Sequence, residues 1–369
     1  MSRTVLIMAG GTGGHVFPAL ALARLLRERA LDVVWLGTRR GLEARVVPAD
    51  GFPIEWLSVG GLRGKGLVTK LLAPFTLLRA VLQSLAVLRR RRPAVVVGLG
   101  GFASGPGGIA AWLSGRPLVI HEQNAVAGYT NRVLARFAKV VLSGFPGAFP
   151  ANVKARVIGN PVREDIAQLP PPAQRFAGRE GPVRLLVVGG SLGAARLNAV
   201  VPEVLAQLAR DADAPRLIVR HQAGEKHVQA AREAYANAGI DLSDKLAAED
   251  TPFIADMCQA LAWADLVVCR AGALTIAELA AAGLGAILVP YPHAVDDHQT
   301  RNAQLLVDAG AAHCIADAQL TPAVLIALLR ELCADRTRLL AMAEAARREA
   351  RPQAAVDLMH ASLVAGGLQ

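Results

Sequence analysis

Three glycine-rich segments of this sequence could hold the phosphates of a ligand. They are Gly10–Gly14, Gly98–Gly108 and Gly189–Gly193, and each follows or completes a short apolar stretch. A glycine-rich turn that opens a helix lets backbone N–H groups approach phosphate oxygens, and the positive end of the helix dipole stabilises the anion. Glycines also simply permit tight turns between strand and helix. One such loop would be weak evidence, but three together favour a diphosphate ligand.

None of these segments contains the complete GxGxxG pattern of dinucleotide-binding proteins. In the first loop Val16 stands where the third glycine belongs, and in the second loop that place is taken by Ala103. This departure disfavours a redox cofactor. A dehydrogenase stays open as an alternative, because alanine is sometimes accepted there and Thr38–Arg40 could imitate a pocket for a 2′-phosphate.

A fourth candidate segment, Cys269–Glu278, follows the apolar stretch Leu266–Val268 and is predicted to open a helix around Ala273. The N–H groups of that first turn would point at a diphosphate. Glu278, one turn further along, could accept hydrogen bonds from ribose hydroxyls. The other interpretation of Glu278 is an ordinary acidic residue near a helix start, where the helix dipole favours it.

The elements that would position these loops begin alike in the two halves of the chain. Thr4–Ala9 is an apolar stretch that leads into a glycine loop and a predicted helix over Pro18–Arg29. The same order returns with Arg184–Val188, the third glycine loop and a predicted helix over Ala194–Leu208. Other strands are predicted at Val33–Leu36, Val95–Val97, Leu118–Ile120, Val140–Leu142, Leu217–Val219, Leu266–Val268 and Ala286–Val289. Apolar strands that alternate with helices predict an α/β protein with two Rossmann-like domains and parallel sheets.

The length of 369 residues also predicts two domains, because one hydrophobic core usually organises no more than roughly 250–300 residues. We predict an N-terminal domain over 1–160, a proline-rich linker over 161–182 and a C-terminal domain over 183–340. Residues 341–369 are expected to form a helical segment that packs back on the N-terminal domain, with Pro352 breaking or restarting the helix. Ligands of open α/β sheets bind beyond the carboxyl ends of the strands, so we expect the ligand in the cleft between the domains.

Charge is distributed unevenly along the chain. Residues 1–160 contain 21 Lys and Arg against 6 Asp and Glu, whereas the remaining residues contain 19 against 24. The first half is therefore expected to face an anionic membrane surface, a nucleic acid or a phosphorylated substrate. Aromatic residues make up only 4% of the chain and no nucleic-acid motif occurs, so nucleic acid is disfavoured as a partner.

Cysteine spacing and hydropathy indicate the compartment. The four cysteines form no CxxC pair and no signal-like apolar stretch precedes the first predicted strand, which is typical of a protein in a reducing cytoplasm. The longest stretch without a charge, Pro93–Gly115, is too rich in glycine for a continuous helix in lipid. We expect no transmembrane span.

A predicted helix between Gly66 and Pro93 combines apolar and basic residues, with Pro74 expected to kink or restart it. Its apolar residues at roughly helical intervals are Leu67, Leu71, Leu72, Phe75, Leu78, Leu82, Leu85 and Leu88, and the surrounding cations are Lys65, Lys70, Arg79 and Arg89–Arg92. An apolar face ringed by cations can lie in the interface of an anionic leaflet. The leucines could also belong to the core and the arginines to a solvated face, and both interpretations can hold together.

In combination these motifs closely resemble the MurG family, the UDP-N-acetylglucosamine:lipid-linked N-acetylmuramyl-pentapeptide transferases of peptidoglycan synthesis within the GT-B glycosyltransferases. The matching motifs are GGTGGHVFPA at Gly10–Ala19, GLRGKG at Gly61–Gly66, GGFASGPGG at Gly100–Gly108, HEQNAVAG at His121–Gly128, GNPVR at Gly159–Arg163, GGSLGA at Gly189–Ala194, FIADM at Phe253–Met257, CRAGALTIAE at Cys269–Glu278 and the His298-Gln299 pair. Their order and spacing are very specific and span nearly the whole chain.

The resemblance implies that the C-terminal domain binds UDP-GlcNAc and the N-terminal domain a lipid-linked MurNAc-pentapeptide. The donor contacts it implies are Ser191 on the diphosphate, Ile254 on the uracil, Ala273, Leu274 and Thr275 on the phosphates, Glu278 on the ribose, Gln299 on the sugar and Arg163 against the nucleotide. From the N-terminal domain, Thr12, Gly13 and Gly14 would border the acceptor diphosphate and donor sugar, and Asn124 would reach the sugar. The acceptor and membrane side would include Gly101, Ser104, His121, Lys65, Lys70 and Arg79. Family members often have two glutamines where this chain has His298-Gln299, so which of the two contacts the sugar stays open.

The reaction that the resemblance implies is attack of the acceptor C4 hydroxyl on the anomeric carbon of GlcNAc, with inversion to a β-1,4 bond and loss of UDP. It needs a base, and histidine is suited to that role because its unperturbed pKa is about 6.5. His15 beside the first glycine loop is one candidate, although it could instead brace the loop through hydrogen bonds. His121 and Glu122 are alternatives for the base or for orienting the acceptor. Helix N-termini and Arg163 could meet the leaving-group charge, so no metal site and no cofactor are expected. A divalent ion bound by the substrate diphosphate stays open as an alternative.

The resemblance also implies a peripheral protein on the cytoplasmic side of the inner membrane, with possible membership of a cell-wall synthesis complex. Other GT-B activities, such as UDP-GlcNAc 2-epimerisation or glycolipid synthesis, are the enzymatic alternatives. A non-catalytic subunit that recruits a transferase to the membrane is a third. The presence of donor-side and acceptor-side motifs in one chain disfavours that third hypothesis.

Overall fold

The computed structural model describes residues 3–60, 72–190, 193–242 and 248–368, which fall into two compact units. The first unit comprises Met1–Arg163 and Arg351–Gln369, and the second Glu164–Ala350. Of the predicted linker, residues 164–182 therefore belong to the second unit. Of the segment predicted to pack back, 351–369 belong to the first unit and 341–350 to the second.

The described residues of the first unit form a seven-stranded parallel sheet in the order β3-β2-β1-β4-β5-β6-β7. The strands are β1 (Thr4–Ala9), β2 (Asp32–Gly37), β3 (Ile54–Trp56), β4 (Val95–Gly100), β5 (Leu118–Glu122), β6 (Val140–Ser143) and β7 (Ala155–Val157). The helices are α1 (Gly13–Glu28), α2 (Glu43–Ala49), α3 (Ala73–Arg91), α4 (Ser104–Leu113), α5 (Tyr129–Leu134) and, from the end of the chain, α15 (Ala354–Gly366).

The second unit repeats this plan with a six-stranded parallel sheet in the order β10-β9-β8-β11-β12-β13. Its strands are β8 (Val183–Val188), β9 (Leu217–Gln222), β10 (Ala248–Thr251), β11 (Leu266–Cys269), β12 (Gly285–Leu288) and β13 (Ala312–Cys314). Its helices are α6 (Glu164–Ala167), α7 (Pro172–Phe176), α8 (Ala195–Ala209), α9 (Val228–Asn237), α10 (Met257–Trp263), α11 (Ala273–Ala282), α12 (His298–Asp308), α13 (Pro322–Cys333) and α14 (Arg336–Arg348), with single 3₁₀ turns at Val295–Asp297 and Asp317–Gln319. The predicted α/β class with two Rossmann-like domains is confirmed.

The last helix, α15, completes the core of the first unit. It packs on α1, β4 and β5, and its Leu358 and Met359 are buried in one apolar cluster with Val5 and Leu22. Burying such side chains contributes roughly 1.5–3 kcal/mol each. Pro352 lies between α14 and α15, where it cannot continue a helix.

Proline also marks the beginning of α3. Pro74 occupies the first turn of this helix, where a missing N–H costs nothing. The earlier part of the predicted helix, including Leu67 and Leu71, lies outside the described residues. No helix in the described ranges is long and apolar enough to cross a membrane.

The strand order sets the place of the ligand in each unit. In the first sheet the chain leaves the centre on one side through β2 and returns to the other side at β4, so the order reverses between β1 and β4. In the second sheet the reversal lies between β8 and β11. Open α/β sheets bind ligands beyond the carboxyl ends of the strands at this reversal, and the glycine-rich loops follow those four strands.

Candidate active site

The first glycine loop connects β1 to α1. Thr12 is the extended N-cap residue of α1, and its carbonyl oxygen accepts hydrogen bonds of 3.2 Å from the backbone N–H groups of both His15 and Val16. The N–H groups of Gly13 and Gly14 have no acceptor within the helix and lie at its positive end. Gly13 and Gly14 thus stand where an anion is stabilised, and His15 lies within the same turn.

A buried carboxylate outside the motifs recognised in the sequence holds this loop. Glu43, at the start of α2, is fully buried. Its Oε2 accepts a 2.9 Å hydrogen bond from Gly11 N, and its Oε1 accepts from the backbone N–H and the hydroxyl of Thr38 at 3.0 and 2.8 Å. Thr38, which we considered for a 2′-phosphate pocket, is thereby engaged with Glu43. These hydrogen bonds connect the glycine loop to the segment that follows β2.

The second glycine loop packs directly against the first. Gly101 has a φ of +87°, and a Cβ built there would lie 2.4 Å from the carbonyl oxygen of Gly10. Ser104 is buried; its hydroxyl accepts from Gly100 N at 3.1 Å and lies 2.7 Å from Gly100 O and 3.1 Å from Met8 O. The structure therefore uses Ser104 to join the ends of β1 and β4, whereas the contact with the acceptor predicted for it stays a prediction.

Substituting Gly101 by alanine should test how tightly the two loops are packed. We expect Gly101→Ala to destabilise the first unit by about 3 kcal/mol, because left-handed strain of about 1–2 kcal/mol adds to a steric overlap. Gly115→Ala is the matched control, since Gly115 has a φ of +65° with open space around its Cβ position. Urea unfolding followed by tryptophan fluorescence measures both. Equal midpoint shifts for the two variants would show that the loops are not in close contact.

A chain of hydrogen bonds connects His15 to the end of β5. His15 Nδ1 lies 2.8 Å from Gln123 Oε1, and Gln123 Nε2 lies 3.0 Å from His121 Nδ1. His121 Nε2 is 2.9 Å from the carbonyl oxygen of Gly159. Burial lowers the pKa of His121 to about 4, so its ring is neutral near pH 7 and both of its nitrogens already have partners. These contacts favour His15 over His121 as the base.

Glu122 accepts four hydrogen bonds within its own loop. Its Oε1 accepts from Asn124 N and Nδ2 at 3.0 and 3.1 Å. Its Oε2 accepts from Gly128 N at 3.0 Å and from Asn131 Nδ2 at 2.9 Å. The side chain is 2% exposed. The geometry thus favours a role in which Glu122 shapes the loop that carries Asn124, in place of the predicted role of base.

The glycine loop of the second unit is also held by a side chain from the neighbouring strand. Gln222, the last residue of β9, is 3% exposed. Its Oε1 accepts from Gly190 N at 3.0 Å, while its Nε2 donates to Gly190 O at 3.0 Å and to Pro252 O at 3.3 Å. Gln222 lies outside the motifs recognised in the sequence. Ser191, the predicted diphosphate contact in this loop, lies outside the described residues.

The helix start predicted around Ala273 is the start of α11. Gly272 is its extended N-cap residue, and the backbone N–H of Ile276 donates the first helical hydrogen bond, 2.9 Å to Gly272 O. The N–H groups of Ala273, Leu274 and Thr275 form the first turn, at the positive end of the helix dipole. Glu278 is half-buried one turn further along. This loop follows β11, at the strand-order reversal of the second sheet.

Two further predicted donor contacts lie at the same edge of this sheet. Ile254 is half-buried in the loop after β10. Gln299 is in the first turn of α12, and its Oε1 accepts a 2.8 Å hydrogen bond from the backbone N–H of Tyr291. The residues before α12, Asp296 and Asp297, have φ values of +53° and +50°. Backbone strain of this kind costs about 1–3 kcal/mol per residue and is concentrated at ligand sites.

The remaining predicted residues are placed as follows. The guanidinium of Arg163 lies 5.9 Å from the ring centroid of Phe17 within the first unit. Its contact with a nucleotide stays a prediction. Arg79 is exposed on α3, and Lys65 and Lys70 fall outside the described residues.

Two Rossmann-like units, each with a glycine loop and a helix N-terminus at its strand-order reversal, are the architecture of the GT-B glycosyltransferases, the class to which the comparisons assign this chain. Comparisons with known proteins give the family. Residues 5–143 match the glycosyltransferase family 28 N-terminal domain, and residues 184–358 match the glycosyltransferase family 28 C-terminal domain. The chain belongs to the MurG branch of glycosyltransferase family 28. This membership removes the dehydrogenase alternative.

The relatives match over nearly their whole length. A UDP-N-acetylglucosamine--N-acetylmuramyl-(pentapeptide) pyrophosphoryl-undecaprenol N-acetylglucosamine transferase of Marinobacter nauticus is 56% identical over 95% of this chain and 94% of its own. The protein of the same name from Alkalilimnicola ehrlichii is 58% identical over 97% and 98%. The crystal structure of Acinetobacter baumannii MurG has a TM-score of 0.83 and 42% identity, covering 98% of this chain and 99% of that one.

Proposed function

We propose that this protein transfers N-acetylglucosamine from UDP-GlcNAc to the C4 hydroxyl of an undecaprenyl-pyrophosphoryl-MurNAc-pentapeptide. The observation that carries this proposal is the near-full-length identity of 56% and 58% to transferases of that name. The product is the disaccharide lipid precursor of peptidoglycan.

The second unit supplies the donor contacts. The first turn of α11 meets the diphosphate, and Glu278 on the same helix accepts hydrogen bonds from the ribose. Ile254 contacts the uracil through its backbone, and Gln299 donates to sugar hydroxyls from Nε2, because its Oε1 already accepts from Tyr291. Ser191 adds a contact to the diphosphate.

The first unit supplies the acceptor contacts and the base. The first turn of α1, at Gly13 and Gly14, meets the acceptor diphosphate, which suits the positive end of that helix. His15 Nε2 removes the proton of the C4 hydroxyl as the oxygen attacks the anomeric carbon. A bond forms between that oxygen and the anomeric carbon, and the bond to the UDP oxygen breaks, so UDP leaves with the electron pair. Attack opposite the leaving group inverts the anomeric carbon to the β configuration.

The charge that develops on UDP is stabilised by the N-terminus of α11 without a protein-bound metal. Preorganised N–H groups that face a developing negative charge contribute about 3–4 kcal/mol of transition-state stabilisation in enzymes of known mechanism. Arg163 adds a permanent positive charge to this stabilisation. We therefore expect transfer to continue in the presence of EDTA. Loss of transfer in EDTA would show that the enzyme needs a divalent ion.

Product analysis tests the reaction and separates its alternatives. The purified protein, incubated with radiolabelled UDP-GlcNAc and the lipid-linked acceptor in detergent, should yield a labelled lipid and UDP in equal amounts. Formation of free ManNAc without acceptor would instead identify a UDP-GlcNAc 2-epimerase. Absence of any turnover under several detergent conditions would point to a non-catalytic subunit.

We further propose that α3 and the end of α4 form the face that contacts an anionic membrane. Leu72, directly before α3, and Phe75, Leu78 and Leu82 on α3 are 53–72% exposed. On the same helix Ala80, Val81, Ser84, Val87 and Leu88 are buried. On α4, which packs against α3, Trp112 and Leu113 are 51% and 55% exposed. This arrangement supports both interpretations of the helix. The buried residues belong to the core, and the exposed apolar residues are available to contact a lipid surface.

Basic residues lie on both sides of Phe137 in the sequence, and the ring of Phe137 contacts Trp112 of this exposed apolar set. The ring of Trp112 lies 4.6 Å from that of Phe137, which is adjacent in sequence to Arg136. Arg136, Lys139, Lys154 and Arg156 line a cavity of about 420 Å³. Of the four arginines at the end of α3, Arg90 and Arg91 form ion pairs of 2.6 and 2.8 Å with Glu55. These cations support a peripheral position on an anionic membrane surface. The MurG relatives support placing that surface on the cytoplasmic side of the inner membrane.

Placing charges on this face should weaken membrane binding without reducing chemistry. We expect the double variant Phe75→Glu/Leu82→Glu to bind vesicles of phosphatidylglycerol and phosphatidylcholine about 10–100-fold more weakly, because each buried apolar side chain contributes about 1.5–3 kcal/mol. Co-sedimentation measures the binding, and a water-soluble acceptor analogue measures turnover. Val324→Glu is the control, since Val324 is 39% exposed on α13. Unchanged sedimentation of the double variant would exclude this face.

A further inference from the structure

We propose that Gln123 is a positioning residue that fixes His15 in the tautomer with a proton on Nδ1, so that Nε2 is the basic nitrogen. This inference rests on the proposed role of His15 as the base. It concerns a side chain for which none of the motifs predicts a role, and every contact that carries it lies within the first unit.

The carbonyl oxygen of Gly159 can only accept a hydrogen bond, and it therefore determines where the proton of the His121 ring lies. His121 Nε2, 2.9 Å away, must therefore carry a proton. Burial lowers the pKa of His121 to about 4, so near pH 7 the ring holds only this one proton. His121 Nδ1 is then an acceptor, and the Gln123 atom 3.0 Å from it must be the amide nitrogen.

A second contact fixes the orientation of the Gln123 amide independently. The same Nε2 lies 3.1 Å from the backbone carbonyl oxygen of His121, and an amide oxygen placed there would face two acceptors. The backbone of Gln123 is held as well, because Asn160 Nδ2 donates to its carbonyl oxygen at 2.9 Å. Only 2% of the surface of Gln123 is exposed. Water therefore cannot supply the hydrogen bonds that the amide would lose if its oxygen and nitrogen exchanged places.

Gln123 Oε1 is consequently the atom that faces His15 Nδ1 at 2.8 Å, and it can only accept. The neutral His15 ring must place its proton on Nδ1, which leaves the lone pair on Nε2. The backbone of Gly159 thus determines the tautomer of His15 through the side chains of His121 and Gln123. Free histidine prefers the opposite tautomer, so without this constraint Nε2 would usually carry the proton and could not act as a base.

A neutral amide also differs from a carboxylate in this position. A carboxylate against Nδ1–H would stabilise the protonated ring, whereas the amide orients it without adding charge. The nearby Glu122 carboxylate accepts hydrogen bonds from Asn124, Gly128 and Asn131. Gln123 therefore sets the tautomer while leaving His15 able to cycle between its neutral and protonated forms during turnover.

Nitrogen-15 NMR of the histidine rings in the full-length protein tests the tautomer without substrate. In the wild type we expect His15 as the Nδ1–H form and His121 as the Nε2–H form at pH 7.5, with signals assigned through the His15→Gln and His121→Gln variants. In Gln123→Met, which keeps the volume but removes the amide, we expect His15 to shift mainly to the Nε2–H form. A wild-type His15 with its proton on Nε2, or an unchanged His15 in Gln123→Met, would overturn the proposal.

Kinetics connect the tautomer to the reaction. Gln123→Met should lower kcat about 10-fold or more with the donor KM within twofold, and Gln207→Met, on the exposed face of α8, is the control. Gln123→Glu retains an oxygen acceptor for His15 Nδ1–H, and its other carboxyl oxygen can carry the proton that His121 Nδ1 accepts, so it should keep the Nδ1–H tautomer of His15. Loss of that tautomer in Gln123→Glu would count against the proposal. A tautomer shift in Gln123→Met with unchanged kcat would instead support the positioning role and refute His15 as the base, so the two failures are distinguishable.

Discussion

Replacing His15 by alanine is expected to lower kcat by a factor of about 10²–10⁴ while the affinity for UDP-GlcNAc changes less than twofold. The reason is that His15 lies in the acceptor-binding unit and interacts with the hydroxyl only as its proton leaves. Initial rates with the lipid-linked acceptor give kcat, and isothermal calorimetry with UDP-GlcNAc in the absence of acceptor gives the donor affinity.

The matched control for this experiment is His360→Ala, because His360 is an exposed histidine on α15 of the same unit. It should retain the wild-type kcat. If His15→Ala lost less than about threefold in kcat, His15 would be a residue that only braces the glycine loop. An equal loss of donor affinity and kcat would also refute the role of base.

The sequence predicts the centre of each sheet and misses its edges. Strands β1, β2, β4, β5 and β6 of the first unit, and β8, β9, β11 and β12 of the second, coincide with predicted apolar stretches. The four unpredicted strands, β3, β7, β10 and β13, are the terminal strands of the two sheets. Central parallel strands are buried on both faces and therefore read as continuous apolar segments, whereas a short edge strand such as Ala155–Val157 need not be apolar.

The sequence predicts the loops of the candidate site but not the side chains that hold them. Glycine loops and helix starts are encoded in contiguous residues, so the segments at Gly10, Gly100, Gly189 and Ala273 are recognisable from the chain alone. The side chains that hold the loops are not contiguous with them. Glu43 contacts Gly11, and Gln222 contacts Gly190, each across 32 residues.

These two bracing residues occupy related places in the repeated fold. Gln222 ends β9, the second strand of its unit, and Glu43 lies six residues beyond the end of β2, the second strand of the other. In both sheets that strand is adjacent to the one that leads into the glycine loop. A polar residue at this point can thus reach the loop backbone in either unit. The bracing role of such a residue can be recognised only when the strand order is known, because sequence spacing alone does not show which strands are neighbours.

Removing the carboxylate of Glu278 is expected to weaken UDP binding by a factor of about 10–100. Hydrogen bonds to a charged acceptor contribute roughly 1.5–3 kcal/mol, and each 1.4 kcal/mol corresponds to a tenfold change. Glu278→Ala should accordingly raise the donor KM and the Kd for UDP together, with a smaller effect on kcat. Calorimetry and initial rates measure these constants, and Glu233→Ala is the control because Glu233 is exposed on α9 of the same unit.

The ribose contact itself can be isolated by changing the ligand as well as the protein. If Glu278 accepts hydrogen bonds from the ribose hydroxyls, 2′,3′-dideoxy-UDP should bind wild type and Glu278→Ala with nearly equal affinity, since neither complex can form those bonds. The difference between the two ligands in the two proteins then gives the coupling between carboxylate and hydroxyls. An equal loss for UDP and its dideoxy analogue would instead assign Glu278 to the stability of α11, because a helix defect weakens diphosphate binding whatever sugar the nucleotide carries.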